Sequence, residues 1–121
     1  MALRLHLASI MFEGLAANYE RYMTLLSERQ KLVASNIANV DTPGYRTQDI
    51  DFRSAFENAS AGEAPTVVEP ANLTVKSDGN NVDLDREARL LAENALRFQI
   101  ATNFARGELA DVRLALQDGK G

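Results

Sequence analysis

Leu32-Val-Ala-Ser-Asn-Ile-Ala-Asn-Val-Asp-Thr-Pro-Gly-Tyr45 divides the chain, and its reading decides the fold. A residue preceding proline is pushed out of the helical region, so any helix running into this stretch ends before Pro43. Asn36 and Asn39 put amides on the last helical turns, where carbonyls lose their intrahelical partners. Those amides can serve the freed carbonyls or a neighbouring chain. Asp41-Thr-Pro-Gly is a turn with a mechanism: Asp41 or Thr42 opens it, Pro43 fixes φ, and Gly44 is free to take positive φ. Tyr45 supplies an aromatic anchor just past it. On residue types alone this is an ordinary helix C-terminus.

Working backwards, a 4-3 spacing runs through Met1, Leu5, Ala8, Phe12, Leu15, Tyr19, Tyr22, Leu26, Arg29, Val33, Asn36 and Val40. All but Arg29 and Asn36 are apolar or aromatic, which predicts a helix over residues 1–40. Gly14 is its weak spot. The firm helix is expected from about Phe12, with the first ten residues a frayed or partner-dependent extension. Working forwards, residues 41–82 hold all three prolines, Pro43, Pro65 and Pro70. One helical turn is expected at Asp51–Asn58 and two extended pieces at Thr66–Glu69 and Leu73–Lys76. A weakly periodic stretch of this length is either functional or disordered until a partner arrives.

Asp83 then caps a second long helix over 83–118, with Asp85 and Glu87 in the first turn where the helix dipole favours negative charge. Its 4-3 spacing reads Leu84, Ala88, Leu91, Ala95, Phe98, Thr102, Ala105, Leu109, Val112 and Leu116, a coiled-coil-type seam. The expected fold is all-α. Long N- and C-terminal helices pack as an antiparallel coiled-coil-like pair around an irregular middle segment, in one domain spanning 1–121. Both helices carry apolar residues beside the seam: Met23, Leu25, Leu32 and Ile37 on the first, Leu90, Leu96, Ile100, Phe104 and Leu114 on the last. One partner helix cannot cover faces this wide, so other chains are expected to supply the missing surface.

The chemistry-bearing residues are sparse. The chain has no cysteine, which excludes a disulfide framework and a thiolate zinc site. A formal net charge of −4 with interspersed signs argues against a dedicated nucleic-acid binder. No run approaches the roughly 18 apolar residues a membrane helix needs, and the N-terminus does not read as a cleaved secretory signal. The single histidine, His6, reads as a packing or surface residue. Asp78-Gly-Asn-Asn-Val-Asp-Leu-Asp departs from a calcium loop, because Val82 and Asp83 fall where a ligand and the invariant glycine belong. It reads as a turn and a cap. Asp49 and Asp51 read as solvated turn residues. No phosphate loop or nucleophile motif is present, and the sequons at Asn58 and Asn72 are weak patterns. No enzyme, metal or cofactor is expected.

Ala34-Ser-Asn-Ile-Ala-Asn-Val-Asp-Thr-Pro-Gly-Tyr45 nevertheless resembles the N-terminal signature of bacterial flagellar axial proteins, the rod, hook and hook-junction subunits. Asp49-Ile-Asp-Phe52 and Asn80-Asn-Val-Asp-Leu-Asp-Arg-Glu-Ala-Arg-Leu-Leu-Ala-Glu-Asn-Ala-Leu-Arg-Phe-Gln99 are similar to the proximal-rod members. The resemblance is weakest between Arg53 and Asp78. It implies a structural subunit of the proximal rod, a tubular drive shaft around an export channel that transmits torque. The implied partners are copies of itself, rod proteins of the FlgC, FlgF and FlgG kinds, the adaptor FliE, the flagellar type III export gate and the MS ring. The implied location is the basal-body rod on the periplasmic side of the inner membrane, reached without signal cleavage.

Within that reading, Leu91, Phe98, Leu109, Val112 and Leu116 are expected to pack on Leu15, Tyr19, Tyr22, Leu26 and Val33. Asn36, Asn39, Asp41, Thr42, Pro43, Gly44 and Tyr45 are expected to fix the junction and touch neighbouring subunits. The middle segment is expected to order only in the assembled rod. A FlgC-like axial protein, a cytoplasmic helical adaptor or chaperone, and a small enzyme with a site in the aspartate loops are the alternatives.

Overall fold

The structure, a computed structural model, describes residues 2–59 and 62–118. Two long helices dominate it: α1 (Ala2–Ala38) and α3 (Leu84–Asp118). Between them lie strand β1 (Asp49–Ile50), helix α2 (Phe52–Ala59) and strand β2 (Val67–Val68). At 1.5 Å per residue α1 is about 55 Å long. The contacts between the long helices pair Tyr19 with Ala105, Gln30 with Asn94 and Asn36 with Glu87, so the two run antiparallel.

Each helix end has a local cause. Past Ala38, the amides of Asn39 and Val40 turn back to Ser35 and Ile37, and Thr42 turns back to Asn39. Pro43 then forbids further helix. Gly44 takes a φ of +76°, and its N–H donates to the carbonyl of Asp78. Asp83 caps α3 by accepting the amides of Asp85 (3.0 Å) and Arg86 (3.2 Å). Asp51 does the same for α2 through Ser54.

The small apolar core lies on α1. Leu25, Ile50 and Ala55 are buried together, with Leu32, Phe52 and Phe56 packed against them. Tyr22 meets Phe52 and Phe56 edge-on, at centroid distances of 5.5 and 6.4 Å. This is how α2 is fastened to the helix pair.

The architecture is mostly helical, as its periodicity predicts, with a two-stranded antiparallel sheet added: Asp49 opposite Val68 and Ile50 opposite Val67. The extended piece expected at Thr66–Glu69 contracts to Val67–Val68, and that expected at Leu73–Lys76 forms no strand. Helix α1 begins at Ala2, not near Phe12, because nothing between Ala2 and Gly14 breaks it and Ala, Leu, Arg and Met are strong helix formers. The sequence leaves residues 46–80 to an assembled rod for their order. Among the described residues of this stretch, Thr47 bonds Asn81, Arg46 bonds Glu69, and Lys76 bonds Asn80.

Candidate functional site

The most elaborately built part of the molecule is the corner where α1 ends, the hairpin starts and α3 begins. Asn36 lies at its centre, fully buried. Its Nδ2 donates to the Gln48 carbonyl (2.8 Å) and to Glu87 Oε2 (3.1 Å). Its Oδ1 accepts the Gln48 amide (3.0 Å) and the Tyr45 hydroxyl (3.1 Å). One side chain on the last turns of α1 therefore grips β1's approach and the start of α3 together.

Beside it sits a buried set of charges. Arg29 forks Asp49, with Nε to Oδ1 and Nη2 to Oδ2 both at 3.1 Å. Arg86 reaches the same carboxylate at 2.6 Å and Glu87 at 2.6 Å. Two cations and two anions cancel, which keeps the desolvation cost tolerable. Burial alone would raise the Asp49 pKa. The Arg29 hydrogen bonds, the Ile50 amide, Arg86 and the charge of Arg29 together outweigh it and hold the carboxyl below its ordinary value of 3.8. Asp49 is thus not the solvated turn residue its sequence context suggests, and pinned between two guanidiniums it has no catalytic freedom. Asp51 is exposed and serves as the α2 cap.

The sign of the pH dependence follows. A depressed carboxyl pKa contributes stability above the unfolded value, and that stability is lost as pH falls through the folded pKa. Denaturant midpoints should show wild type ahead of Asp49→Asn at neutral pH, with the gap closing below pH 3.8. A gap independent of pH would refute the assignment.

Two asparagines that sequence reading did not single out complete the corner. The Asn80 side chain donates to the carbonyls of Asn39 (2.8 Å) and Thr42 (2.9 Å), and its Oδ1 accepts the Val82 amide. Asn81 Oδ1 accepts both the amide (2.6 Å) and the hydroxyl (2.9 Å) of Thr47. Adjacent polar residues just before a helix cap were the available signal. Gly79, at φ +86°, lies so close to Gly44 that an added Cβ would stand 3.4 Å from the Gly44 Cα.

Of the junction residues, Asn36, Asn39 and Tyr45 face into the corner. The Asn39 side chain donates to the Ser35 carbonyl (2.8 Å) beside its own backbone amide, and Tyr45 touches Ser35 and Asn36. Asp41, Thr42, Pro43 and Gly44 are exposed on its outer side.

Within the single chain the expected seam residues divide between buried and exposed positions. Leu26 and Val33 are buried on α1, and Leu15, Tyr19 and Tyr22 are half-buried. On α3, however, the residues turned to α1 are Glu87, Leu90, Asn94 and Ala101. Leu91, Phe98, Leu109 and Leu116 form a neighbouring stripe that is 39–52 % exposed, and Val112 is half-buried. Phe98 edges a groove with Leu26 and Gln30, and Leu109 edges one with Leu15 and Tyr19. The regular 4-3 repeat is displaced because polar Glu87 and Asn94 occupy the seam, where Asn94 donates to Gln30 (3.2 Å). Among the described residues no cluster of His, Asp or Glu is placed to hold a metal.

Comparison with known proteins converges on one family. The model of the family described as flagella basal body rod protein matches residues 23–46, the end of α1 and the turn after it. The chain is 30 % identical to the flagellar basal body rod protein FlgB of Yersinia enterocolitica, in an alignment covering 88 % of this chain and 96 % of that one. It is 30 % identical to FlgB of Escherichia coli strain K12, covering 80 % and 88 % respectively. FlgB of Bacillus subtilis strain 168 is 25 % identical, covering 91 % and 98 %.

Proposed function

The chain belongs to the FlgB family of flagellar basal-body rod proteins, and from that premise we propose that it builds the proximal part of the rod. It is a structural subunit of the basal-body rod, not an enzyme. It assembles there with other flagellar components. The finer reading is that copies of the chain pack side by side around a channel and hand torque to rod proteins of the FlgC, FlgF and FlgG kinds. At its base the array meets FliE, the type III export gate and the MS ring. The subunit reaches the periplasmic side of the inner membrane without signal cleavage.

One observation carries this reading: the apolar surface a single chain leaves bare. Leu3, Leu5, Leu7, Ile10 and Met11 on α1 are 51–74 % exposed, and the Leu91, Phe98, Leu109 and Leu116 stripe of α3 is 39–52 % exposed. Residues this large and this contiguous are covered by neighbours in a working assembly. Leu91, Phe98, Leu109 and Leu116 are assigned to that covering, and Leu26 and Val33 to the chain's own pair. The exposed turn Asp41–Gly44 is assigned to a neighbouring subunit.

The test is Phe98→Asp. Because Phe98 is 47 % exposed, the free chain should lose only about 1–2 kcal/mol and keep its fold, while swimming and incorporation into basal bodies should be lost. Normal swimming with the variant present in basal bodies would overturn the assignment. A chain found in the cytosol and absent from purified basal bodies would favour an adaptor instead.

A further inference from the structure

The two long helices each carry one glycine in mid-helix, Gly14 and Gly107. Neither is explained by packing or by backbone conformation. A Cβ built on either would meet nothing within 4 Å, and neither has positive φ. Alanine would fit both positions and favour the helix by about 1 kcal/mol each. The glycines therefore weaken their helices with no local return.

Their placement gives the reason. With Tyr19 opposite Ala105, Gly14 and Gly107 fall within about one helical turn of each other along the pair. Two further features loosen α3 at this level. The Ala105 amide donates to the Tyr19 hydroxyl on the other helix (2.9 Å), so a side chain from outside competes for that rung of the ladder. Thr102 bonds back to the Phe98 carbonyl (2.8 Å), an arrangement that tends to bend helices. On one side of this level the pair is anchored by the buried corner and by Leu25, Leu26 and Val33. On the other side the large apolar residues of both helices, among them Leu3, Leu7, Ile10, Leu114 and Leu116, stand more than half exposed.

We propose that this level is a hinge: the arms 2–13 and 108–118 pivot on Gly14 and Gly107 against a rigid body, and assembly uses the pivot to seat the arms on neighbours. The second half of that statement rests on the rod reading; the first does not.

The experiment exploits the absence of native cysteine. Spin labels at Ser9→Cys and Ala115→Cys report the arms, and labels at Ala34→Cys and Arg89→Cys report the body. In the full chain the arm distances should be broadly distributed and the body distances narrow. Gly14→Ala with Gly107→Ala should narrow the arm distribution and raise arm amide protection about fivefold per glycine, the equivalent of about 1 kcal/mol. Tyr19→Phe, which removes the outside acceptor at the Ala105 amide, should narrow it in part. In cells the double alanine variant should be recovered from basal bodies in reduced amount. Arm distances already as narrow as the body's in wild type would overturn the hinge. A stiffened variant that assembles and swims as wild type would overturn its use in assembly. If deleting the whole chain left swimming intact, the rod reading would fail while the spin-label result stood.

Discussion

Asp49→Ala is expected to remove about 3–5 kcal/mol of folding stability, the usual cost of taking one partner from a buried ion pair. Its carboxylate bridges Arg29 and Arg86, and all three side chains are at least four-fifths buried. Without it two guanidiniums face each other with no charge between them. Glu87 cannot substitute, because it already engages Arg86 and Asn36. Small domains are stable by about 5–15 kcal/mol in total, so the variant should be marginal at physiological temperature. Asp49→Asn keeps the shape and should fall between the two. Urea denaturation at neutral pH decides the matter. A loss under about 1 kcal/mol, the figure for a solvated surface pair, would mean that the arginines escape to water and that the corner is not held by charge.

Asn36→Ala should be nearly as damaging, at about 2–5 kcal/mol, for a different reason. The substitution creates little cavity but strands the Gln48 amide and carbonyl and one oxygen of Glu87, and leaves the Tyr45 hydroxyl with Ser35 alone. Each buried polar group left unpaired costs about 1–3 kcal/mol, and some will find water. Asn36→Asp offers no rescue despite its equal size, since it loses the two donated bonds and sets a carboxylate against Glu87. The distinguishing readout is local. Hydrogen exchange at Gln48 should accelerate well before the body of α1 is affected. Unchanged protection at Gln48 would show that Asn36 contributes by helix propensity and not by joining the hairpin to α3.

The contrast between these residues and the stripe on α3 explains what could be read from the sequence. Both long helices, the cap at Asp83 and the stop at Pro43 follow from periodicity and local chemistry, which a single strand of sequence displays in full. The register of the helix pair does not. Hydrophobic spacing selects Leu91, Phe98 and Leu109, whereas the chain closes on Glu87, Asn94 and Ala101. A charged or amide residue at a seam position looks like a solvent-facing one until its partner is known, and the partners here lie 51 and 64 residues away. Asp49 was hidden in the same way, since Arg29 and Arg86 are separated from it by 20 and 37 residues. The junction asparagines were visible, but only as helix-end residues. Their attachment to α3 is a tertiary fact.

The corner also has a consequence in time. Its bonds join residues tens of positions apart, and the Tyr19–Ala105 bond spans 86. Long-range closures of this kind come late and make folding slow. A chain emerging with its N-terminus first can coil α1 early, but the bonds of Asn36 to Glu87, Asp49 to Arg86 and Tyr19 to Ala105 wait for α3 to follow. Until α3 follows, the helix and the hairpin have nothing to close against, and the tertiary structure sets only when both ends of the chain are present.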